Sequence, residues 1–187
     1  MALLVMATAV EGAPERDRAC SAGDFDLLMR RHERLVLVTA LRLTGSMEDA
    51  QDISQEVFLR LYRNLDKVEA SNAISTWLYR VTVNACRDLR RRRKPESPVE
   101  DADRLAAADA DPQQAMSESE RRRVLELSLR MLPEKERAAL VLRDLEGLST
   151  EEVARVLGSS EATVRSQISK ARVKVKGFVE RYFGRRS

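Results

Sequence analysis

Apolar residues recur along this chain three or four positions apart, the spacing of helices with one buried face. Residues 23–44 form the first such stretch, with Phe25, Leu28, Leu35, Val38 and Leu41 as its apolar positions, and Gly45-Ser46 ends it. A second helix is predicted from about Asp49, where Ile53, Val57, Leu61 and Leu65 return every fourth residue. The short polar stretch from Lys67 to Asn72 separates it from a third helix, roughly Ala73 to Arg91, whose core face is expected to carry Trp77, Leu78, Val81 and Ala85. Pro95 and Pro98 close this unit, since proline removes a helix donor and restricts the residue before it. Residues 95–116 are acidic, rich in small residues and poor in large apolar ones, the composition of a mobile linker. Helical periodicity resumes near Ser117, breaks at Leu132-Pro133, and continues through 134–145, 149–157 and 161–183. The expected fold is all-α: a leader over 1–21, a helical domain over 22–94, the linker over 95–116, and a second, smaller helical domain over 117–183.

Two of these helices carry more than a core pattern. Ser149 with Glu152 three residues on is a capping box. Ala154 is small where another helix would cross, and Gly158 can supply a positive φ. Ser159 or Ser160 can cap the next helix. In that helix Val164, Ile168, Ala171 and Val175 share one face, Ser166, Ser169 and Val173 point away, and Arg165 and Lys170 flank the outer face. This is the layout of a DNA-binding helix-turn-helix, in which the second helix offers side chains to base edges. On the third helix of the first domain, Arg80, Asn84, Arg87 and Arg91 fall in one stripe that runs into Arg90–Lys94, a pattern suited to a phosphate track.

Charge sharpens this picture. Residues 22–94 carry 14 Lys/Arg against 10 Asp/Glu, residues 95–120 one Arg against 8 acids, and residues 159–187 8 Lys/Arg against 2 Glu. Two basic ends about an acidic connector suggest two nucleic-acid contacts on one chain. His32 is the sole histidine, and Cys20 and Cys86 are too few and too distant to announce a disulfide framework or a metal site, so reduced thiols are expected. No nucleophile–base pair, phosphate loop or dinucleotide fingerprint is present, so enzyme chemistry, a cofactor and a small-molecule substrate are not expected. No stretch is long enough to span a bilayer, and a cytoplasmic protein without membrane insertion is expected.

The blocks DAQDISQEVFLRLYRNL and TWLYRVTVNACRD, in this order and spacing within 49–94, resemble domain 2 of the extracytoplasmic-function group of bacterial sigma factors. Residues 132–172 resemble domain 4 of the same group, and the resemblance spans about 22–183. It implies an initiation factor that binds RNA polymerase core through the clamp coiled coil and the flap, reads minus-thirty-five and minus-ten promoter elements, promotes melting, and answers to an anti-sigma factor. It places Asp52, Gln55, Glu56 and Arg60 at the polymerase. The loop Val68–Ala73, with Val68, Ser71 and Asn72, takes the place of the segment that captures a flipped minus-ten base. Asn84 lies near that pocket, and Arg80, Arg87 and Arg91 follow the opened strand. Arg165, Ser166, Ser169 and Lys170, with Thr163 and Arg172 beside them, take the minus-thirty-five positions. Two other functions fit parts of the pattern: a free-standing helix-turn-helix regulator that binds duplex DNA as a dimer, and an adaptor whose helices bind only protein.

Overall fold

The computed structural model describes residues 22–65, 68, 74–93 and 118–184, all at or between helices. The expectations for the leader, the linker and most of the Val68–Ala73 loop, Ser71 and Asn72 included, lie outside these residues. Seven α-helices occur among them: α1 (Ala22–Thr44), α2 (Met47–Arg63), α3 (Ile74–Arg92), α4 (Glu118–Arg130), α5 (Glu134–Leu140), α6 (Thr150–Leu157) and α7 (Glu161–Gly184).

The first three helices pack against one another around Val36, Ala40, Ile53, Val57, Leu61 and Leu78. Leu61, Leu78 and Val57 are fully buried, and such side chains each stabilise a fold by about 1.5–3 kcal/mol. The α2 register is the expected one. The α1 register is turned: Val36, Thr39, Ala40 and Leu43 are its buried residues, while Phe25, Leu28, Leu35 and Leu41 pack at the flank. In α3, Leu78 and Ala85 are buried as expected, but Trp77 and Val81 are only half-buried, and Tyr79, Thr82 and Val83 join the buried set. The cause is that α3 is covered on two sides, by α1 and α2 and by α6 of the second half.

Local signals set the helix ends. Ser46 caps α2 by accepting from the N–H of Asp49 at 3.3 Å. Buried Asp49 in turn takes two hydrogen bonds from Arg93, both 2.6 Å, tying the start of α2 to the end of α3. Gly45, at φ 75°, accepts from the Arg130 guanidinium through its carbonyl, and a Cβ there would come within 2.7 Å of Arg130 Nε.

In the second half, α5 runs into a π-helical turn over Val141–Leu145, where the N–H of Glu146 reaches the carbonyl of Val141 at 3.0 Å. The capping box forms as expected: the Ser149 hydroxyl accepts from the N–H of Glu152 at 3.2 Å, and the Glu152 carboxylate accepts from the N–H of Ser149 at 2.7 Å. Gly158 closes α6 at φ 63°, and of the two candidate caps for α7 it is Ser160 whose hydroxyl accepts from Thr163 N–H. Val164, Ile168 and Ala171 are buried, with Val175 half-buried at the edge.

Ser149→Ala is expected to cost about 1 kcal/mol in urea unfolding. Its partner contributes in a pH-dependent way. The hydrogen bonds from Ser149 hold the Glu152 carboxyl below its ordinary pKa, so its contribution is present above the unfolded carboxylate range and is lost as pH falls through the depressed folded value. The loss on Glu152→Ala should therefore shrink in acid. An equal loss at neutral and acid pH would exclude a contribution from the charge.

Candidate nucleic-acid interface

On α2, the buried run of Ile53, Val57 and Leu61 turns Asp52 and Gln55 fully outward and leaves Glu56 and Arg60 half-exposed, paired with each other at 2.5 Å. Two further residues, not among those expected, belong to this face. Leu59 and Tyr62 are 55% and 64% exposed. Their signal was available, since both fall out of phase with the buried run. Tyr62 is held upright by an edge-on contact with Phe25 of α1, ring centres 5.2 Å apart.

On α3, Arg80, Asn84 and Arg91 project from one exposed stripe. Arg87 belongs to the same stripe but its Nε lies 3.1 Å from the Glu134 carboxylate of the second half, and Arg91 is paired with Asp88. The stripe is therefore less purely cationic than its sequence spacing suggests. Arg93, within the basic run, is turned back onto Asp49. Val68 needs correction as a DNA-facing residue: its side chain is 3% exposed and packs in the first core, with its N–H on the Asn64 carbonyl at 3.1 Å. A valine near the end of a helical turn follows the apolar period of α2 instead of the loop that comes after it.

On α7, Thr163, Arg165, Ser166, Ser169 and Lys170 are all exposed, and Val173 extends the same face at 70% exposure. Arg165 pairs with Glu161 at 2.5 Å, one turn earlier. Arg172 is exposed too, but Asp144 grips it with two hydrogen bonds of 2.8 and 2.6 Å, which hold its guanidinium pKa above the ordinary value. Lys174 is drawn to Glu136 at 2.8 Å. The short hydroxyl side chains of Ser166 and Ser169, between the flanking cations Arg165 and Lys170, leave the helix backbone free to approach base edges closely.

The two faces approach each other at one edge, where Thr163 stands. Asn84, Arg87 and Arg91 line one wall of a cleft of about 740 Å³ whose other wall carries Ser159, Thr163 and Gln167 from the start of α7. Behind it the halves share a core, in which Leu43, Tyr79 and Val83 of the first pack with Leu142, Val153, Val164 and Ile168 of the second. Polar contacts cross as well. Arg42 meets the Glu146 carboxylate at 2.6 Å, the Tyr79 hydroxyl donates to the same carboxylate at 3.3 Å, and buried Arg137 donates to the Leu43 carbonyl at 2.8 Å. Burial and the Glu146 charge together push the Tyr79 phenol well above its ordinary pKa, so it stays a donor. Among the described residues no group of three or more His, Cys, Asp or Glu could hold a metal ion, and no helix is long and apolar enough to cross a membrane.

Comparison with known proteins matches residues 28–96 to the family described as Sigma-70 region 2 and residues 122–175 to Sigma-70, region 4. The ECF RNA polymerase sigma factor SigE of Mycolicibacterium smegmatis is 37% identical over 161 residues, 84% of this chain, which spans 62% of that relative's length. The RNA polymerase sigma-H factor of Pseudomonas aeruginosa is 37% identical over 158 residues, covering 79% of this chain and 82% of the relative. The ECF RNA polymerase sigma-E factor of Escherichia coli K12 is 35% identical with the same coverage. Among solved structures, CnrH in complex with the cytosolic domain of CnrY is similar at a TM-score of 0.61 and 28% identity, over 84% of this chain and 88% of that one. The sigma factor RpoE in complex with the anti-sigma factor NepR from Bartonella quintana shares the fold at a TM-score of 0.66 and 22% identity, over 84% and 97%.

Proposed function

Because the chain belongs to the extracytoplasmic-function group of sigma-70 factors, we propose that it brings RNA polymerase core to a restricted set of promoters and helps open them. The observation that carries this reading is the pair of exposed reading faces on one chain: the Arg80–Asn84–Arg91 stripe of α3 and the Thr163–Lys170 face of α7. A recognition helix alone would serve a duplex-binding regulator. A second, amide-bearing basic stripe on a separate helical unit suits a strand that is already open.

The roles follow from position and chemistry. Asp52, Gln55, Glu56, Arg60 and the neighbouring Leu59 and Tyr62 dock on the polymerase clamp. Ser71 and Asn72 contribute to capture of the minus-ten base, with Asn84 beside it and Arg80, Arg87 and Arg91 along the backbone. Thr163, Arg165, Ser166, Ser169 and Lys170 read the minus-thirty-five duplex, and Arg172, gripped by Asp144, presents a fixed cation to its phosphates. The protein itself performs no catalysis, works in the cytoplasm beside polymerase, and is held in check by an anti-sigma factor of the kind present in the similar solved complex.

The test is promoter binding and runoff transcription with purified core. Lys170→Ala and Arg165→Ala are each expected to weaken binding to upstream duplex by about 1–3 kcal/mol where a base contact is lost. Asn84→Ala should instead slow open-complex formation and spare a pre-melted template. One-to-one binding to core supports the reading. Tight dimeric binding to duplex without core would support a free-standing regulator instead.

A further inference from the structure

The outer face of α7 is polar over its first turns and then carries a valine. Ser166, Ser169 and Val173 lie within about 60° of one another around the helix, so they share one line of that face. At 70% exposure Val173 is the most exposed large apolar side chain among the described residues. A single exposed valine needs no explanation in itself. Its neighbours supply one. Arg172, just before it, is held by Asp144 with hydrogen bonds of 2.8 and 2.6 Å, and Lys174, just after it, lies 2.8 Å from Glu136. Both carboxylates belong to the body of the second half, Glu136 in α5 and Asp144 in the π-helical turn. The two long cationic chains are therefore drawn toward the body and away from the methyl groups of Val173.

Along the helix surface the positions four before and four after Val173 are Ser169 and Gly177, which have little or no side chain to lay over it. Lys176, one turn on, leans toward Glu180 at 3.7 Å. The valine thus stands clear on the line that Ser166 and Ser169 begin. In the major groove every base pair offers donors and acceptors, and thymine alone adds an apolar group, its C5-methyl. Valine has no side-chain hydrogen bond to give. Pressed on a bare donor or acceptor it would strip water from that group without replacing it, which is unfavourable. A thymine methyl is the partner that gains from the contact.

We propose that Val173 is a specificity-determining residue that packs on the C5-methyl of a thymine in the upstream promoter element. Seven residues separate it from Ser166, a rise of about 10 Å along the helix. That distance corresponds to roughly three base pairs of duplex, so the thymine lies about three pairs from the base that Ser166 faces. Arg165, Ser166, Ser169 and Lys170 read by polar contact, and Val173 adds an apolar one at the far end of the face. The proposal deepens the promoter-reading function above and rests on it.

The experiment uses the full chain bound to polymerase core. A duplex pool randomised across the upstream element is selected with the wild-type protein. The selected duplex is then made with each thymine replaced singly by uracil, which keeps the pairing edge and lacks the methyl. At one thymine, uracil is expected to weaken wild-type binding about fourfold, the worth of burying one methyl-sized group. Val173→Ser removes both methyls at nearly equal helix propensity and should bind the thymine and uracil duplexes alike. Val173→Thr keeps one methyl and should restore discrimination at that same position. Because Val173 is exposed, all three proteins should share one thermal midpoint. Uracil costs that are equal in wild type and Val173→Ser at every thymine overturn the proposal, as does a selected element without thymine. A loss in Val173→Ser that ignores the methyl would assign the side chain to the DNA backbone or to polymerase and overturn it too. Selection that enriches no duplex removes the promoter-reading function itself, whereas enrichment without methyl coupling removes only the role of Val173.

Discussion

Arg137→Ala is expected to lower the unfolding free energy by about 3 kcal/mol, the range seen when a buried, hydrogen-bonded charge is truncated. Arg137 is 5% exposed and donates to three backbone carbonyls: Leu43 at 2.8 Å, Arg130 at 2.7 Å and Leu132 at 3.0 Å. These carbonyls lie at the ends of α1 and α4, where a helix leaves its last acceptors without intrahelical partners and carries partial negative charge. The guanidinium therefore caps two helices at once, one from each half. Burial, with Arg90 and Arg130 nearby, lowers its pKa to about 10 against the opposing pull of Glu134, which still leaves it charged at neutral pH. Its fork geometry matters as much as its charge, so Arg137→Lys should recover little of the loss. Urea unfolding at neutral pH is the measurement. A loss below about 1 kcal/mol would mean that water replaces the side chain at all three carbonyls.

The second large effect is expected at the outer face of α2. Leu59→Asp should weaken binding to polymerase core by about a hundredfold, while Gln55→Ala with Glu56→Ala weakens it less. Interfaces draw most of their energy from a few well-desolvated apolar or aromatic anchors ringed by polar groups. Leu59 and Tyr62 have that setting, with Asp52, Gln55, Glu56 and Arg60 around them. Leu59 is exposed in the free protein, so Asp at this position should leave the thermal midpoint nearly unchanged, and melting with core affinity forms a matched pair of readings. Normal core binding by folded Leu59→Asp protein would remove this face as the docking surface.

The helices were legible because their capping and breaking residues agree with their apolar period. Ser149, Glu152 and Gly158 each do in the folded chain what their spacing implies, since a cap is decided by neighbours within four residues. The exposure of the α7 face followed from the same period. What the sequence concealed was decided by contacts between residues far apart in the chain. Trp77 looked like a core residue and is half-buried, while Tyr79 and Val83 looked secondary and are buried, because a second unit covers α3 from the side that sequence periodicity assigns to solvent. Arg87 and Arg172 read as free cations, yet their carboxylate partners, Glu134 and Asp144, stand 47 and 28 positions away. Val68 reads as a loop residue because Lys67 and Glu69 flank it, and only the folded turn carries its side chain back under α2.

The shared core also bears on how freely such proteins can exchange parts. Leu43, Tyr79 and Val83 complete a cluster that otherwise belongs to residues 129–171. A chimera that grafts residues 118–184 of a relative onto residues 22–93 of this chain therefore inherits a seam along with a promoter preference. Where the donor's counterparts of Leu142, Val153 and Glu146 do not fit Tyr79, Val83 and Arg42, the hybrid keeps each reading face intact and still loses packing at the seam. Its promoter choice would follow the donated recognition helix, and its stability would follow the mismatch at the seam. Contacting sites of this kind combine non-additively, so swapped initiation factors should be compared by both measures.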